Sequence, residues 1–280
     1  MKLKITILAL MLTAGTSLWA AGAYTIYPTP HRQIEQAGTV TLGGTVNVVC
    51  GKAIDQATRQ RAEQVLREHG LRCKFTTSPA KGAANLLLGV NGDKGAADKA
   101  ATSLRLSRAV FGTQKYDKHL VAVAGKGKAA TIVILGENTD ATFCGLASLE
   151  QMLDAQPGRL SCVTIYDYAD VKNRGVIEGY YGVPYSEDVT EDLFRFMARY
   201  KMNSYMYGAK SDLYHSQLWE KPYPLTITPE QKKIGMMTQD MMRNMAKVAT
   251  ANKVNFIWAI HPGTAFFDTK SDDVLDKIME

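Results

Sequence analysis

The sequence predicts an α/β protein in which an N-terminal α+β domain precedes the first three βα units of an incomplete (β/α)8 TIM barrel. Three observations carry this reading. The hydrophobic patterning changes texture near residue 172. Upstream of that point short β-like runs mix with two helical stretches, whereas downstream strand and helix alternate regularly. Only 108 residues run from Asn173 to Glu280, where a closed eight-stranded barrel takes about 250.

The upstream elements come first. The β-like runs are Thr39 to Leu42, Val46 to Val49 and Asn85 to Val90. His119 to Val123 and Ala130 to Leu135 flank a Gly-Lys-Gly-Lys turn, a hairpin signal. Ile54 to His69 reads as a helix stopped by Gly70. Asp140 to Leu153 places Phe143, Leu146, Leu149, Met152 and Leu153 at helical spacing. The expectation is helices on one face of a mostly antiparallel sheet, over residues 24–170.

The downstream part, residues 171–280, opens with a strand at Gly175 to Gly179. A helix follows from Asp188 to Tyr200, with Leu193, Phe196, Met197 and Tyr200 along one face. A second strand runs from Asn203 to Gly208. Pro229, suited to a first helical position, opens a long helix to about Ala251. A third strand spans Val254 to Ile260, and Ser271 caps a last helix. Three such units leave unpaired edges, so the expectation is one piece of a longer barrel. The alternative is a small α/β domain with an open sheet.

The ends and the composition narrow the class. Lys2 and Lys4, the apolar run from Ile5 to Leu12, and Ala21-Gly22-Ala23 read as a signal peptide over residues 1–23, with a cut after Ala20 as the alternative. Export to the periplasm or outside the cell is the expectation, with no membrane span after signal removal. The 280 residues are 46% apolar and 21% charged, ordinary for a globular chain. The net charge of +6 is spread along the chain, with no basic stripe interleaved with aromatics, so no nucleic-acid partner is expected. Cys50, Cys73, Cys144 and Cys162 form no C-x-x-C pair; their disulfide pairing, from none to two bridges, stays open. His215 and His261 are isolated, and no metal site is expected.

In barrel enzymes the working groups stand at the C-terminal ends of the strands. Here those ends carry Glu178-Gly179-Tyr180-Tyr181-Gly182, Tyr207-Gly208-Ala209-Lys210-Ser211-Asp212, and His261-Pro262-Gly263. Glycines admit backbone carbonyls close to a sugar, tyrosines offer stacking faces, and a lysine donates up to three hydrogen bonds. Arg174 to Tyr185 resembles the opening of glycoside hydrolase family 84, which contains the O-GlcNAcases and bacterial enzymes often labelled hyaluronidases. Lys201 to Lys210, then Asp212 and Tyr214-His215, resembles that family's second strand. Phe256 to Gly263 resembles its third.

The resemblance implies a retaining β-N-acetylglucosaminidase acting on an N-acetylglucosamine-containing glycan or glycoconjugate. In that route the substrate's own acetamide is the nucleophile, and no cofactor takes part. Two adjacent aspartates at the end of the fourth strand orient the acetamide and transfer the proton. The family spacing puts that pair beyond Glu280, so no catalytic residue is expected in this chain, and the chain alone is expected to be inactive. Two substrate-binding residues carry over: Gly179, through its backbone carbonyl, and Lys210. Glu178 reads as a buried structural carboxylate, and Tyr180 and Tyr181 as barrel packing. Asp272-Asp273 is an adjacent pair, but it starts a helix, where acids complement the dipole. Ser211 and Tyr185 depart from the family's usual aspartate and tryptophan. The alternative function is a non-catalytic glycan-binding or scaffold protein derived from the same family; a nonfunctional fragment left by a frameshift or an incomplete gene model is the third reading.

Overall fold

The computed structural model describes residues 24–259 other than Tyr180, Lys210, Gln217, Trp219 and Glu220. The signal segment, the helix expected after Ser271 and the Asp272-Asp273 pair lie outside the described residues.

The N-terminal domain runs β1 (Arg32–Thr41), β2 (Thr45–Cys50), α1 (Gln56–Glu68), β3 (Arg72–Phe75), β4 (Ala84–Val90), α2 (Ala96–Ser103), β5 (Tyr116–Lys126), β6 (Ala129–Gly136), α3 (Thr139–Ala155) and β7 (Arg159–Ala169). The strands form one sheet in the order β1-β7-β5-β6-β4-β2-β3. β1, β7, β5 and β6 pair antiparallel, whereas β6, β4, β2 and β3 pair parallel. The sheet is therefore mixed rather than mostly antiparallel. The crossover through α1 returns the chain in the same direction, and parallel pairing needs such a crossover.

Helices cover both faces of this sheet, not one. Val46, Val48, Leu86, Leu88, Ile132 and Ile134 pack against Ala62, Val65 and Leu66 of α1 and Leu146, Leu149 and Met152 of α3. On the other face Val49, Leu87, Val133 and Leu135 meet Ala97 and Ala101 of α2. Burial on both sides explains why β4 reads as an unbroken apolar run, since its first six residues are all buried. All four cysteines are free thiols.

The second unit has β8 (Gly175–Ile177), α4 (Glu187–Arg199), β9 (Ser204–Tyr207), α5 (Leu213–Ser216), α6 (Pro229–Lys233), α7 (Gln239–Ala251) and β10 (Asn255–Trp258). Its three strands are parallel, in the order β8-β9-β10, with Ile177, Met206 and Ile257 in one register row. Val176, Tyr205, Tyr207, Phe256 and Trp258 pack toward Phe194 and Met197 of α4 and Met245 and Ala249 of α7. Ile177 and Ile257 face the other way and are exposed. This is the start of a βα barrel, with helices on the outer face and a lumenal row on the inner.

The long helix expected from Pro229 to Ala251 is two helices. Gly235 sits at φ +81°, and a Cβ there would lie 2.3 Å from Pro184 Cδ. The left-handed turn stops α6 and lets the chain press on the loop after β8. The Thr238 hydroxyl then accepts from Met241 N and starts α7.

Ion pairs hold the two units together. Among the described residues, each pair across the seam has its cation on the C-terminal side. Arg174 meets Asp117 at 2.5 Å, Arg199 meets Glu150 and Asp154, and Lys253 meets Asp55 and Asp140. Lys201 meets Asp167 at 2.7 Å, with both side chains buried. Lys201 follows the α4 cap at φ +59°. There Met202 N bonds Met197 O at 2.8 Å and Lys201 N bonds Ala198 O at 3.3 Å. That is the helix-ending motif usually built on glycine.

This cluster makes stability acid-sensitive in two windows. Burial favours a neutral Asp167, but the Lys201 and His119 charges and hydrogen bonds from Lys201 and His31 overcome it and lower its carboxyl from 3.8 to about 2. Burial, then the Lys201 charge, lowers the neighbouring His119 from 6.5 to about 4. Both folded values lie below the unfolded ones, so the unfolded chain binds more protons as pH falls. Stability should drop from pH 6.5 to 4 through His119, by about 3 kcal/mol, and again from 3.8 to 2 through Asp167, by about 2 kcal/mol. Urea unfolding at pH 7, 5 and 3 reads this directly. His119→Gln should flatten the upper window and narrow the lower one, because the His119 charge helps to lower Asp167.

Candidate functional site at the strand ends

Two cavities, of about 420 and 370 Å³, share Asp117, Cys144 and Lys201 in their walls. They open at the N-terminal ends of the parallel strands, along the ion-paired seam. The chemistry-bearing loops lie at the opposite ends of the same strands.

At the end of β8, Glu178 is 4% exposed. Its Oε2 accepts from the Tyr205 hydroxyl at 2.6 Å and its Oε1 from Tyr185 N at 2.8 Å. Burial raises the Glu178 carboxyl above the usual carboxylate range, and the two hydrogen bonds only partly offset this. Tyr205, on β9, is likewise pushed up, first by burial and then by Glu178. Glu178 thus joins two strand ends and the following loop. It does not face open space where a substrate would sit.

Gly179, the next residue, is exposed. Its backbone is not in the left-handed region, and a Cβ there would meet only Tyr181 O, at 3.7 Å, among the described residues. Neither turn geometry nor crowding by the described residues therefore demands glycine. Tyr181 is 80% exposed, so its ring is not barrel packing as the sequence suggested. Tyr180 and Lys210 lie outside the described residues, as does His261.

Ser211 Oγ donates to Gly182 O at 2.5 Å, joining the loops after β8 and β9. Asp212 is fully buried. Its Oδ2 accepts from the hydroxyls of Tyr207 at 2.6 Å and Tyr223 at 2.7 Å, and its Oδ1 from Tyr214 N at 2.9 Å. Trp258 Nε1 donates to the Tyr223 oxygen at 3.0 Å. Burial first, and then the Asp212 charge, raises both tyrosine hydroxyls far above their ordinary range. His215, also buried, bonds through Nδ1 to Ala259 O, and its Nε2 has no partner among the described residues. No group of three or more metal-ligating side chains occurs among the described residues.

The comparisons with known proteins follow this geometry. A family profile described as beta-N-acetylglucosaminidase matches residues 174–280. A second, described as glycosyl hydrolase family 20, domain 2, matches residues 23–168. The solved structure of CpGH84D superposes with a TM-score of 0.74 at 34% identity, covering 91% of this chain and 40% of that one. The chain belongs to glycoside hydrolase family 84, of which it carries part. The mouse (Mus musculus) protein O-GlcNAcase is 27% identical over 125 residues, 42% of this chain and 12% of the mouse protein. A family 20 exo-β-N-acetylglucosaminidase from Vibrio harveyi shares the fold alone, with a TM-score of 0.58 at 14% identity over 84% of this chain and 36% of that one.

Within this family 84 chain, sequence reasoning singled out Gly179 and Lys210 and read Glu178 as structural. It missed Tyr223 and Trp258, which complete the bonding around Asp212. The available signal was the Tyr- and Pro-rich loop after β9, which offers hydroxyl donors close to a lone acidic residue. Tyr205→Phe should remove one of the two bonds to buried Glu178 and lower stability by about 1–3 kcal/mol. Thermal melts of the variant and wild type test this.

Proposed function

We propose that the protein carrying this chain hydrolyses terminal β-linked N-acetylglucosamine with retention, and that this chain supplies part of the sugar-recognition surface. Family membership supports the substrate class. The observation that carries the local reading is Gly179: an exposed glycine at a barrel strand end, with no reason in its own backbone or among its described neighbours to be glycine. A bound sugar approaching its carbonyl supplies one. Lys210 is assigned to the same sugar from its place at the end of β9.

The reaction is substrate-assisted in this reading, with the acetamide oxygen attacking the anomeric carbon and two adjacent carboxylates orienting it and moving the proton. Glu178 and Asp212 are buried and, among the described residues, accept hydrogen bonds from tyrosine hydroxyls and backbone amides, which leaves them poorly placed for proton transfer. The resemblance to family 84 assigns the acid pair to the end of the fourth strand of the barrel. Export is part of the proposal and rests on the N-terminal apolar run and its lysines.

The purified 280-residue chain should not turn over an aryl β-N-acetylglucosaminide. Clear turnover would place the acids within it and overturn this division of roles. Gly179→Ala should melt within about 0.5 kcal/mol of wild type yet bind N-acetylglucosamine about tenfold more weakly by titration. Unchanged affinity would remove Gly179 from the surface.

A further inference from the structure

We propose that His215 is a recognition residue at the mouth of the barrel, its Nε2 accepting a hydrogen bond from a hydroxyl of the bound sugar. The proposal rests on the reading of Gly179 as part of the sugar-binding surface and deepens it.

The register of the three strands places the ring. Ile177, Met206 and Ile257 form one lumenal row. The ladder runs a step further, with Glu178 N donating to Met206 O and Ala259 N to Tyr207 O, each at 2.9 Å. Two residues beyond that row come Gly179, Gly208 and Ala259, on the same face. Tyr207 and Trp258, one residue earlier on their strands, belong to the core on the other face. A Cβ on Gly208 would lie 3.6 Å from Ala259 Cβ, as neighbours on one face do. It would also lie 3.6 Å from His215 Cε1 and 3.9 Å from His215 Nε2. This edge of the imidazole therefore lies over the lumenal side of the sheet, not between the strands and their helices.

The two ring nitrogens differ. Nδ1 faces the Ala259 carbonyl and so carries the proton, donating from α5 to the end of β10. Nε2 of the neutral ring is then an acceptor. It has no partner among the described residues, although His215 is only 2% exposed. Packing and the Nδ1 bond account for one nitrogen and leave the other as a buried acceptor in need of a donor. Gly179 and Gly208 have no side chain and Ala259 only a methyl, so a ligand on this row sits deeper than over the larger residues of the row below. A sugar hydroxyl, free to turn its proton toward an acceptor, supplies the donor.

Two substitutions separate the nitrogens. Asparagine reproduces the Nδ1 donor and removes the acceptor, whereas glutamine reaches the Nε2 position and gives up the Nδ1 bond. The 280-residue chain is melted and is titrated with N-acetylglucosamine and its 3-, 4- and 6-deoxy analogues. His215→Asn should melt like wild type yet bind N-acetylglucosamine about tenfold more weakly. One deoxy sugar, lacking the hydroxyl that meets Nε2, should bind wild type and His215→Asn within about twofold of each other. His215→Gln should melt lower but bind within about threefold of wild type. A His215→Asn variant that binds like wild type, or that weakens all four sugars equally, would overturn the proposal. So would a His215→Gln variant that binds no better than His215→Asn, because affinity would then follow the packing of the ring. If His215→Asn does not fold, His215→Gln decides alone: discrimination against the same deoxy sugar as wild type supports the proposal, and an equal loss for all four sugars overturns it. Failure of wild type to bind any of these sugars, or unchanged binding by Gly179→Ala, would instead remove the sugar-surface reading, and this proposal with it.

Discussion

The buried pair of Lys201 and Asp167 is the interaction on which the arrangement of the two units depends. Lys201 ends α4 in a left-handed conformation, which costs an L-residue about 1–2 kcal/mol and is normally given to glycine. Glycine would satisfy the backbone but take from buried Asp167 the lysine charge, leaving it only the two histidines His31 and His119. The lysine accepts the strain and neutralises that carboxylate. Removing either partner strands a charge in a poorly solvated place, a far larger penalty than the strain itself. Because β9 begins three residues after Lys201, the pair also sets where the first parallel strands lie against the N-terminal sheet. The other seam contacts repeat the polarity, with acids presented by residues 55–167 and bases by residues 174–253.

At the other ends of the same strands the acids behave differently. Glu178 and Asp212 are met by tyrosine hydroxyls and backbone amides among the described contacts. Hydrogen bonds of this kind are directional, so they fix geometry as well as offsetting the cost of burial. The barrel units thus have an electrostatic foot and a hydrogen-bonded head. The first anchors them to the scaffold, and the second shapes the surface to which sugar recognition is assigned.

Much of this was legible in the residues. The three parallel strands were visible because each is a compact apolar run followed by an amphipathic helix or a proline-started segment. β4 and the β5–β6 hairpin were visible for similar local reasons. β7 was not, because Arg159 to Ala169 mixes serine, threonine and aspartate with its apolar residues, and only pairing with β1 and β5 makes it a strand. α2 was hidden by its alanines, which give little periodic contrast. The break at Gly235 was misread although a glycine is itself a stop signal, because the close contact that goes with it lies in a distant segment, at Pro184. At the site, Gly179 stood out by motif, whereas Tyr223 and Trp258 contribute through tertiary contacts that no spacing rule reveals.

The placement of β7 bears on how the chain assembles during synthesis. It is the last strand of the N-terminal sheet to be made, yet it lies between β1 and β5, so β1 has no sheet to join until β7 arrives. The same strand carries Asp167. The socket for Lys201 therefore comes into being at the moment the sheet is completed, only 34 residues before the lysine that fills it. The N-terminal sheet can be finished and waiting when α4 emerges, which makes the order of manufacture also the order of docking.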